Sequence, residues 1–300
     1  MSAQNEIDQG QRFAFGDNWA AFLGVLDDQR IAEAQKSLED FLGLSDLSGK
    51  SFLDIGCGSG LFSLAARKMG ARVHSFDFDD ASVACTRELK RRYFENDEHW
   101  KIEHGSALDR QYIESLGQFD ICYSWGVLHH TDQMWRAIGN AQSTVAPAGL
   151  LYIAIYNDEG VVSAIWEAVK RTYCGGPIGR ALMTGIFYPV FFLSGLAIDL
   201  VKLRNPARRY REHIKYRGMS LVHDWKDWLG GFPYERARPS RIQGFLENFG
   251  FELLRLSRPD FRFGNNQFVF RRHAPRADGQ GPNREAAHGI RASGRHNISW

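Results

Sequence analysis

Short apolar runs alternate with amphipathic stretches through the middle of this sequence. Apolar runs at 51–55, 72–77 and 119–124 have the length and composition of buried strands. The stretch 61–68 lies between the first and second runs, and the stretch 81–93 follows the second run. Both repeat apolar residues at helical spacing. Strands that alternate with helices in this way predict a parallel sheet covered by helices, an α/β fold.

The same alternation extends the predicted sheet in both directions. A weaker strand is expected at 100–104, and a fifth, strongly apolar strand at 149–157. Far downstream, 251–256 and 267–271 predict a closing antiparallel pair. Helices are predicted at 30–42, before the first strand, and at 133–145, where Asp132 is the expected N-cap.

Composition excludes several classes of protein. The 300 residues carry 37 basic and 35 acidic side chains, a formal net charge of +2, so no global field favours nucleic acid. The four cysteines form no C-x-x-C pair, which argues against a zinc site or a disulfide framework. The first residues lack the pattern of a signal peptide, and we expect a cytoplasmic protein.

The first predicted strand runs into a turn rich in glycine. Asp54 is followed by Gly56, Gly58 and Gly60, with Cys57 between them, and a helix then begins. Glycines allow positive φ and let a ligand approach the backbone closely. The spacing differs from the G-x-G-x-x-G of dinucleotide sites, and an acid on the strand favours an amine or cation over a pyrophosphate.

The second strand also ends in an acid. Asp77 lies 23 residues after Asp54, where a carboxylate can accept two hydrogen bonds from a ribose diol. The next residue, Phe78, is then expected beside the adenine of the same ligand. Asp79 and Asp80 are assigned to the start of the following helix.

A third motif follows the fourth strand. Trp125 and Gly126 lead into Val-Leu-His-His, in which His129 and His130 are adjacent. The carboxyl ends of the strands are where an open α/β sheet binds its ligands. A histidine there can take a proton from an attacking hydroxyl, and we expect one histidine of the pair to face the substrate and the other to shape the turn.

Together these motifs resemble those of the class I S-adenosylmethionine (SAM) methyltransferases, including the ubiquinone-biosynthesis O-methyltransferases. The resemblance covers 48–157 and 240–272. It implies a doubly wound, Rossmann-like sheet of seven strands with an α-helical lid inserted between strands 5 and 6. In chain order, the implied divisions are a helical cap at 1–47, the SAM-binding core at 48–157, the insertion at 158–239, the closing strands at 240–273 and a disordered tail at 274–300.

The resemblance also implies a cofactor site and a small-molecule acceptor. SAM would be bound by the following residues: Asp54, Gly56, Cys57, Gly58, Gly60, Asp77, Phe78, Ser106, Ala107 and Trp125. The family often has an acid where this chain has Ser106, so the adenine contact is assigned to Ser106 and Ala107 with Asp109 as an alternative. His129 or His130 would act as the base, and no metal is expected.

Acceptor contacts are expected from the cap, the fifth strand and the insertion. The residues are Phe15, Trp19, Tyr156, Asn157, His223, Asp224 and Trp228. The alternative, which base rates for large aromatic residues favour, is that Phe15 and Trp19 are core anchors. His223 and Asp224 are alternative acid/base residues. The turn at 264–267 is a further candidate for substrate contact.

The insertion contains 18 consecutive residues without a charge, at 181–198. Thr, Ser, Gly and Pro within them favour two helices broken near Pro189 over a membrane span. A basic stretch follows at 202–217. An apolar helix with a cationic flank predicts either a buried lid or peripheral contact with an anionic membrane at the inner face.

The leading functional hypothesis is methyl transfer from SAM to an oxygen of a phenol, quinol precursor or sugar. A thiol or amine acceptor is an alternative within the same class. A different class remains open, a non-catalytic SAM-fold scaffold that docks to a membrane or partner through the insertion.

Overall fold

The computed structural model describes residues 26–203, 205, 221–259 and 264–274, together with residues 9, 19, 23 and 24. The side chains of 221–224 and 227 lie outside this description. So do most of the basic stretch at 202–217 and the tail predicted to be disordered.

Seven strands form one sheet, in the order β3-β2-β1-β4-β5-β7-β6. The first five strands are parallel, and β7 is antiparallel to both of its neighbours. Their bounds are β1 Ser51–Ile55, β2 Arg72–Asp77, β3 Trp100–His104, β4 Phe119–Trp125, β5 Val145–Tyr156, β6 Phe251–Ser257 and β7 Asn265–Arg272. The predicted sheet and its closing antiparallel pair are therefore confirmed.

Helices cover both faces of the sheet. In chain order they are α1 Asp28–Leu42, α2 Leu61–Lys68, α3 Asp80–Tyr93, α4 Arg110–Ser115, α5 Met134–Ser143, α6 Val161–Cys174, α7 Pro177–Val201, α8 Leu221–Gly230 and α9 Pro239–Glu247. A 3-10 turn occupies Leu128–His130. Of these, α6, α7 and α8 lie in the insertion between β5 and β6.

Two apolar cores result from the alternation of side chains along the strands. Phe52 of β1 points to the core shared with α1, α2 and α3, and Leu53 points to the core shared with α5 and α9. The structure thus has the doubly wound architecture expected from sequence. A third cluster, around Tyr173, Cys174 and Leu229, holds the insertion helices together.

Two local predictions were wrong. The apolar stretch at 181–198 is not two helices, because α7 continues through Pro189 as one helix of 25 residues. Asp132 does not cap α5. It adopts φ +61°, and the N-cap position is occupied by Gln133. The backbone N–H of Met134 at the start of α5 instead donates to the carboxylate of Glu235, at 2.8 Å, which is distant in sequence.

Candidate functional site

The glycine turn lies at the carboxyl end of β1 with positive φ at all three glycines. A Cβ on Gly56 would lie 2.4 Å from Val127, and a Cβ on Gly60 would lie 2.9 Å from the Thr86 backbone. These two glycines therefore let the turn pack against the histidine loop and against α3. Gly58, between them, would carry its Cβ 3.1 Å from the indole Nε1 of Trp19. Trp19 thus lies against the glycine turn and packs on the core, and its contact with the acceptor stays a prediction, whereas Phe15 lies outside the described residues.

Asp77 joins the ends of β1 and β2. Its Oδ2 accepts the backbone N–H of Gly58 at 2.9 Å, and its Oδ1 accepts that of Asp79 at 3.0 Å. A carboxylate oxygen has capacity for a second hydrogen bond, so this geometry is compatible with binding of a ribose diol. Asp79 caps α3 by accepting the N–H of Ala81, as predicted.

The expected adenine neighbours lie at the ends of β2 and β3. The ring centroids of Phe78 and His104 are 5.9 Å apart. The Phe78 side chain is partly exposed, and the His104 side chain is exposed. Ser106 Oγ accepts the N–H of Leu108, and the Ala107 carbonyl accepts the side-chain amide of Asn140. Asp109 caps α4 through Tyr112. Contact of Phe78, Ser106 and Ala107 with adenine stays a prediction.

Asp54 lies at the end of β1 beneath α2 and is 2% exposed. Its carboxylate accepts a hydrogen bond from Ser63 Oγ, which also contacts Ser75 Oγ at 2.7 Å. Burial raises the pKa of Asp54 to about 7, with the negative charge of Asp77 adding to the shift. Its contact with SAM stays a prediction. Burial likewise raises the pKa of the Cys57 thiol, whose sulfur accepts a bond from Thr86.

The two histidines of the turn after β4 have different surroundings. His130 is 6% exposed, and its Nδ1–H donates to the carbonyl of Pro233 at 2.5 Å. His129 is fully buried, and neither of its ring nitrogens has a hydrogen-bond partner of ordinary geometry among the described residues. Burial, followed by the neighbouring His130, holds the pKa of His129 well below its usual range, although the nearby backbone of Ala154 acts in the opposite direction. Its imidazole is therefore neutral at physiological pH.

The segment 233–237, at the end of the insertion, is hydrogen-bonded to the turn that carries His129 and His130. Glu235 donates its backbone N–H to the carbonyl of His129 at 2.9 Å, and Ala237 donates to the carbonyl of Tyr156 at 3.1 Å. The Glu235 carboxylate holds α5 at Met134, and burial raises its pKa to about 7. The insertion is therefore tied to the site by backbone contacts as well as by side chains.

Aromatic and cationic side chains surround His129. Tyr156 lies at the end of β5, and its ring centroid is 4.1 Å from that of the His129 imidazole. The ring centroid of Tyr234 is 4.8 Å from that of Tyr156. Lys170 of α6 is 4% exposed and places its ammonium group 5.4 Å from the ring of Tyr234 and 6.0 Å from that of Tyr156. Its Nζ donates to the carbonyl of Trp228.

Sequence reasoning missed Lys170, Tyr234 and Glu235. A signal was present for Lys170, which lies four residues after Trp166 and three before Tyr173. That spacing places a lysine on the apolar face of a helix. For Tyr234 and Glu235 no sequence pattern marks the contact, because they reach the histidine turn from more than 100 residues away.

The acceptor candidates Asn157 and Trp228, and the cofactor candidate Trp125, contact other side chains of the protein. Asn157 donates to Glu159 and accepts from Asn266 at 2.8 Å. Trp125 donates its indole N–H to Gln267 at 3.2 Å. Trp228 is 40% exposed and packs edge-on against Trp166. The roles of Asn157, Trp125 and Trp228 in binding stay predictions, and the side chains of His223 and Asp224 lie outside the described residues.

A glycine turn and an acid at the ends of adjacent parallel strands define the cofactor site of a doubly wound α/β enzyme fold. A family model described as a methyltransferase domain matches residues 26–256. The chain therefore belongs to this family of class I SAM-dependent methyltransferases, and SAM is the cofactor of its site. Within the part of the chain that the structure describes, no group of three or more His, Cys, Asp or Glu side chains is placed to hold a metal ion.

Individual relatives match part of the chain. A ubiquinone biosynthesis O-methyltransferase of Pseudomonas aeruginosa is 30% identical over 118 residues, which cover 37% of this chain and 46% of the relative. A malonyl-acyl-carrier-protein O-methyltransferase of Pectobacterium atrosepticum is 34% identical over 146 residues, 47% of this chain and 53% of the relative. The chain thus spans about half the length of these curated relatives.

A solved structure supports the fold alone. An O-methyltransferase family protein from Burkholderia thailandensis superimposes with a TM-score of 0.51 at 12% identity, covering 83% of this chain and 59% of that one. The agreement extends beyond the residues matched by the curated relatives.

Proposed function

We propose that this protein transfers the methyl group of SAM to an oxygen atom of a small-molecule acceptor. The observation that carries the proposal is His129, a buried neutral imidazole whose ring nitrogens have no hydrogen-bond partner of ordinary geometry among the described residues. It lies at the carboxyl end of β4, in the turn that packs against the glycine turn through Val127 and Gly56. The O-methyltransferase names of the two curated relatives agree with an oxygen acceptor.

Each part of the site has a distinct task in this proposal. SAM supplies an electrophilic methyl group when bound. The glycine turn leaves room for SAM, and Asp77 accepts hydrogen bonds from the ribose hydroxyls of SAM. His129 would accept the proton of the acceptor hydroxyl at a ring nitrogen as the new carbon–oxygen bond forms and the methyl–sulfur bond breaks, with S-adenosylhomocysteine as the leaving group. Alignment of the reactants supplies the rest of the rate, because direct methyl displacement needs little more from the protein.

An oxygen acceptor explains why a neutral base is present. A phenolic hydroxyl has an ordinary pKa of about 10 and keeps its proton at neutral pH. A base that removes the proton contributes roughly 10²- to 10⁴-fold to such a reaction. A thiol ionises near pH 8.5, and a neutral amine attacks without prior loss of a proton, so neither acceptor depends as strongly on a base.

Lys170, Tyr156 and Tyr234 define the acceptor side of the site. Lys170 belongs to the insertion, whereas Tyr156 belongs to the sheet, so the acceptor group lies between core and insertion. The buried ammonium group of Lys170 favours an acceptor with an anionic or electron-rich oxygen close to the hydroxyl. The two tyrosine rings favour a planar or apolar body.

The experiment uses methyl-labelled SAM with a panel of phenols, hydroxylated acids, thiols and amines. Wild-type protein should label an oxygen acceptor, and His129→Gln should lower turnover by about 10²-fold or more. It should leave binding of S-adenosylhomocysteine unchanged. His99→Gln, an exposed histidine away from the site, is the matched control and should retain full activity.

Three results would contradict the proposal. Labelling of a thiol or amine that His129→Gln leaves intact would exclude the oxygen assignment. Full activity of His129→Gln on a hydroxyl would exclude its role as the base. Folded wild-type protein that does not bind S-adenosylhomocysteine would exclude turnover altogether and favour a scaffold.

A further inference from the structure

The insertion helix α7, Pro177–Val201, exposes apolar side chains along its whole length. Six of them lie 47% to 85% exposed at helical spacing, and we call them the outer stripe: Ile178, Leu182, Ile186, Val190, Leu193 and Val201. α7 is long and apolar enough to cross a membrane by length and composition, and none of its most apolar 18-residue window is buried. A surface helix of a globular protein normally turns polar residues to water.

The opposite face of α7 is packed against the rest of the insertion. Phe187 and Phe191 contact Trp166 of α6, with ring centroids 5.4 and 6.4 Å apart. Tyr188 and Phe191 contact Trp225 of α8 at 5.4 and 5.8 Å. These contacts attach α7 to the enzyme along its side, so the helix is placed to lie against a surface and not to cross one.

The few charges of α7 do not interrupt the outer stripe. Arg180 and Asp199 are its charged residues, and Asp199 is 4% exposed, on the packed side. At about 1.5 Å per residue the helix is about 37 Å long. An exposed apolar strip of this length exceeds what a soluble monomer normally leaves in water and marks an interaction surface.

Charge indicates which surface covers the stripe. Directly after α7 the sequence carries seven basic residues against one acid, Glu212. The basic residues are Lys202, Arg204, Arg208, Arg209, Arg211, Lys215 and Arg217. An apolar helix followed by a cationic segment complements an anionic lipid surface, in which the side chains enter the acyl region and the cations meet the headgroups. We propose that α7 docks this protein on the surface of an anionic lipid bilayer.

The docked position has a consequence for the reaction, and this consequence rests on the proposed function. α6 carries both Trp166, which contacts α7, and Lys170, which lies in the acceptor cluster. The outer stripe and the acceptor side of the site are thus linked through one helix. Docking would bring the site close to acceptors that reside in, or partition into, the membrane.

The test is flotation of the full-length protein with vesicles of phosphatidylcholine, with and without phosphatidylglycerol. Wild-type protein should float with the anionic vesicles, and added salt should weaken the binding. The double variant Ile186→Glu/Leu193→Glu should bind at least about tenfold more weakly, because two apolar side chains no longer enter the lipid. Leu254→Glu, at a 41% exposed leucine on β6, is the matched control and should bind as wild type does.

Binding of S-adenosylhomocysteine by each variant separates loss of docking from loss of fold and is independent of acceptor chemistry. Several results would overturn the proposal. They are wild-type protein that floats with neither vesicle, equal binding to both vesicles, and binding that survives in the double variant. A wild-type dimer that ignores vesicles and dissociates in the double variant would show that a second copy covers the stripe.

Discussion

The imidazole of His129 packs against the phenol ring of Tyr156, with ring centroids 4.1 Å apart. Tyr156 ends β5, and the backbone that follows enters the insertion. The base proposed for catalysis is therefore positioned by the junction between the SAM-binding core and the segment expected to choose the acceptor. Changes in the insertion can alter the surroundings of His129 without touching the cofactor site.

His130 is expected to stabilise the turn and not to act in chemistry. His130→Phe keeps a ring but leaves the Pro233 carbonyl without its donor, which should lower the free energy of unfolding by about 1–3 kcal/mol. His130→Asn places an amide N–H near the position of Nδ1 and should recover part of the loss. Denaturant unfolding measures both. Equal stability of the Phe variant and wild type would show that the bond contributes nothing.

Asp77 is expected to control cofactor affinity. Asp77→Ala removes the acceptor for the ribose diol and the support of Gly58, so the Kd for S-adenosylhomocysteine should rise by about 10- to 100-fold. Asp79→Ala, two residues away, removes the N-cap of α3 and should cost about 1 kcal/mol of stability with little effect on affinity. Calorimetric titration and unfolding separate the two effects. Similar affinities for both variants would contradict the assignment.

Gly60 is expected to be essential for packing, beyond its positive φ of +81°. Gly60→Ala would place a methyl group 2.9 Å from the Thr86 backbone. Gly117 has a similar φ of +78° with nothing within 4 Å of an added methyl group, so Gly117→Ala reports the backbone strain alone, about 1 kcal/mol. We expect the Gly60 variant to lose clearly more stability in chemical unfolding. Equal losses would mean that α3 moves aside freely.

Asp54 should make stability depend on pH. Its folded pKa of about 7 lies above the unfolded value of 3.8, so the folded state binds its proton more tightly. The stabilisation of the folded state that comes from protonated Asp54 is fully present below about pH 4, and it is lost as pH rises through 7. Asp54→Asn mimics the protonated form and should gain stability relative to wild type at pH 8, by at most about 4 kcal/mol, but not at pH 4.

The measurement for Asp54 is the difference in unfolding free energy between variant and wild type across that pH range. Glu235, whose pKa is also raised to about 7, remains in both proteins and cancels in the difference. A difference that does not change with pH would show that folding does not raise the pKa of Asp54.

Local sequence patterns predicted those features of the structure that depend on a few neighbouring residues. The five parallel strands and Asp79 as a helix cap were predicted because hydrophobic period and capping chemistry act over a few residues. Asp132 failed as a cap because Glu235, about 100 residues later, supplies the carboxylate that meets Met134. The predicted helix break at Pro189 is wrong. α7 continues through Pro189, and aromatic side chains next to it pack against α6 and α8.

The class of this protein could be predicted from the chain alone, because the order of strands and helices, the glycine turn and the two acids at the ends of β1 and β2 are local features with a shared chemical meaning. The difference between the two histidines, by contrast, depends on contacts that form only in the folded protein. Both are identical in type and adjacent in sequence, and their difference arises from Pro233, Tyr156 and Lys170, which reach them from other elements. Burial and hydrogen bonding between distant segments set the ionisation of a side chain, and no local pattern encodes them.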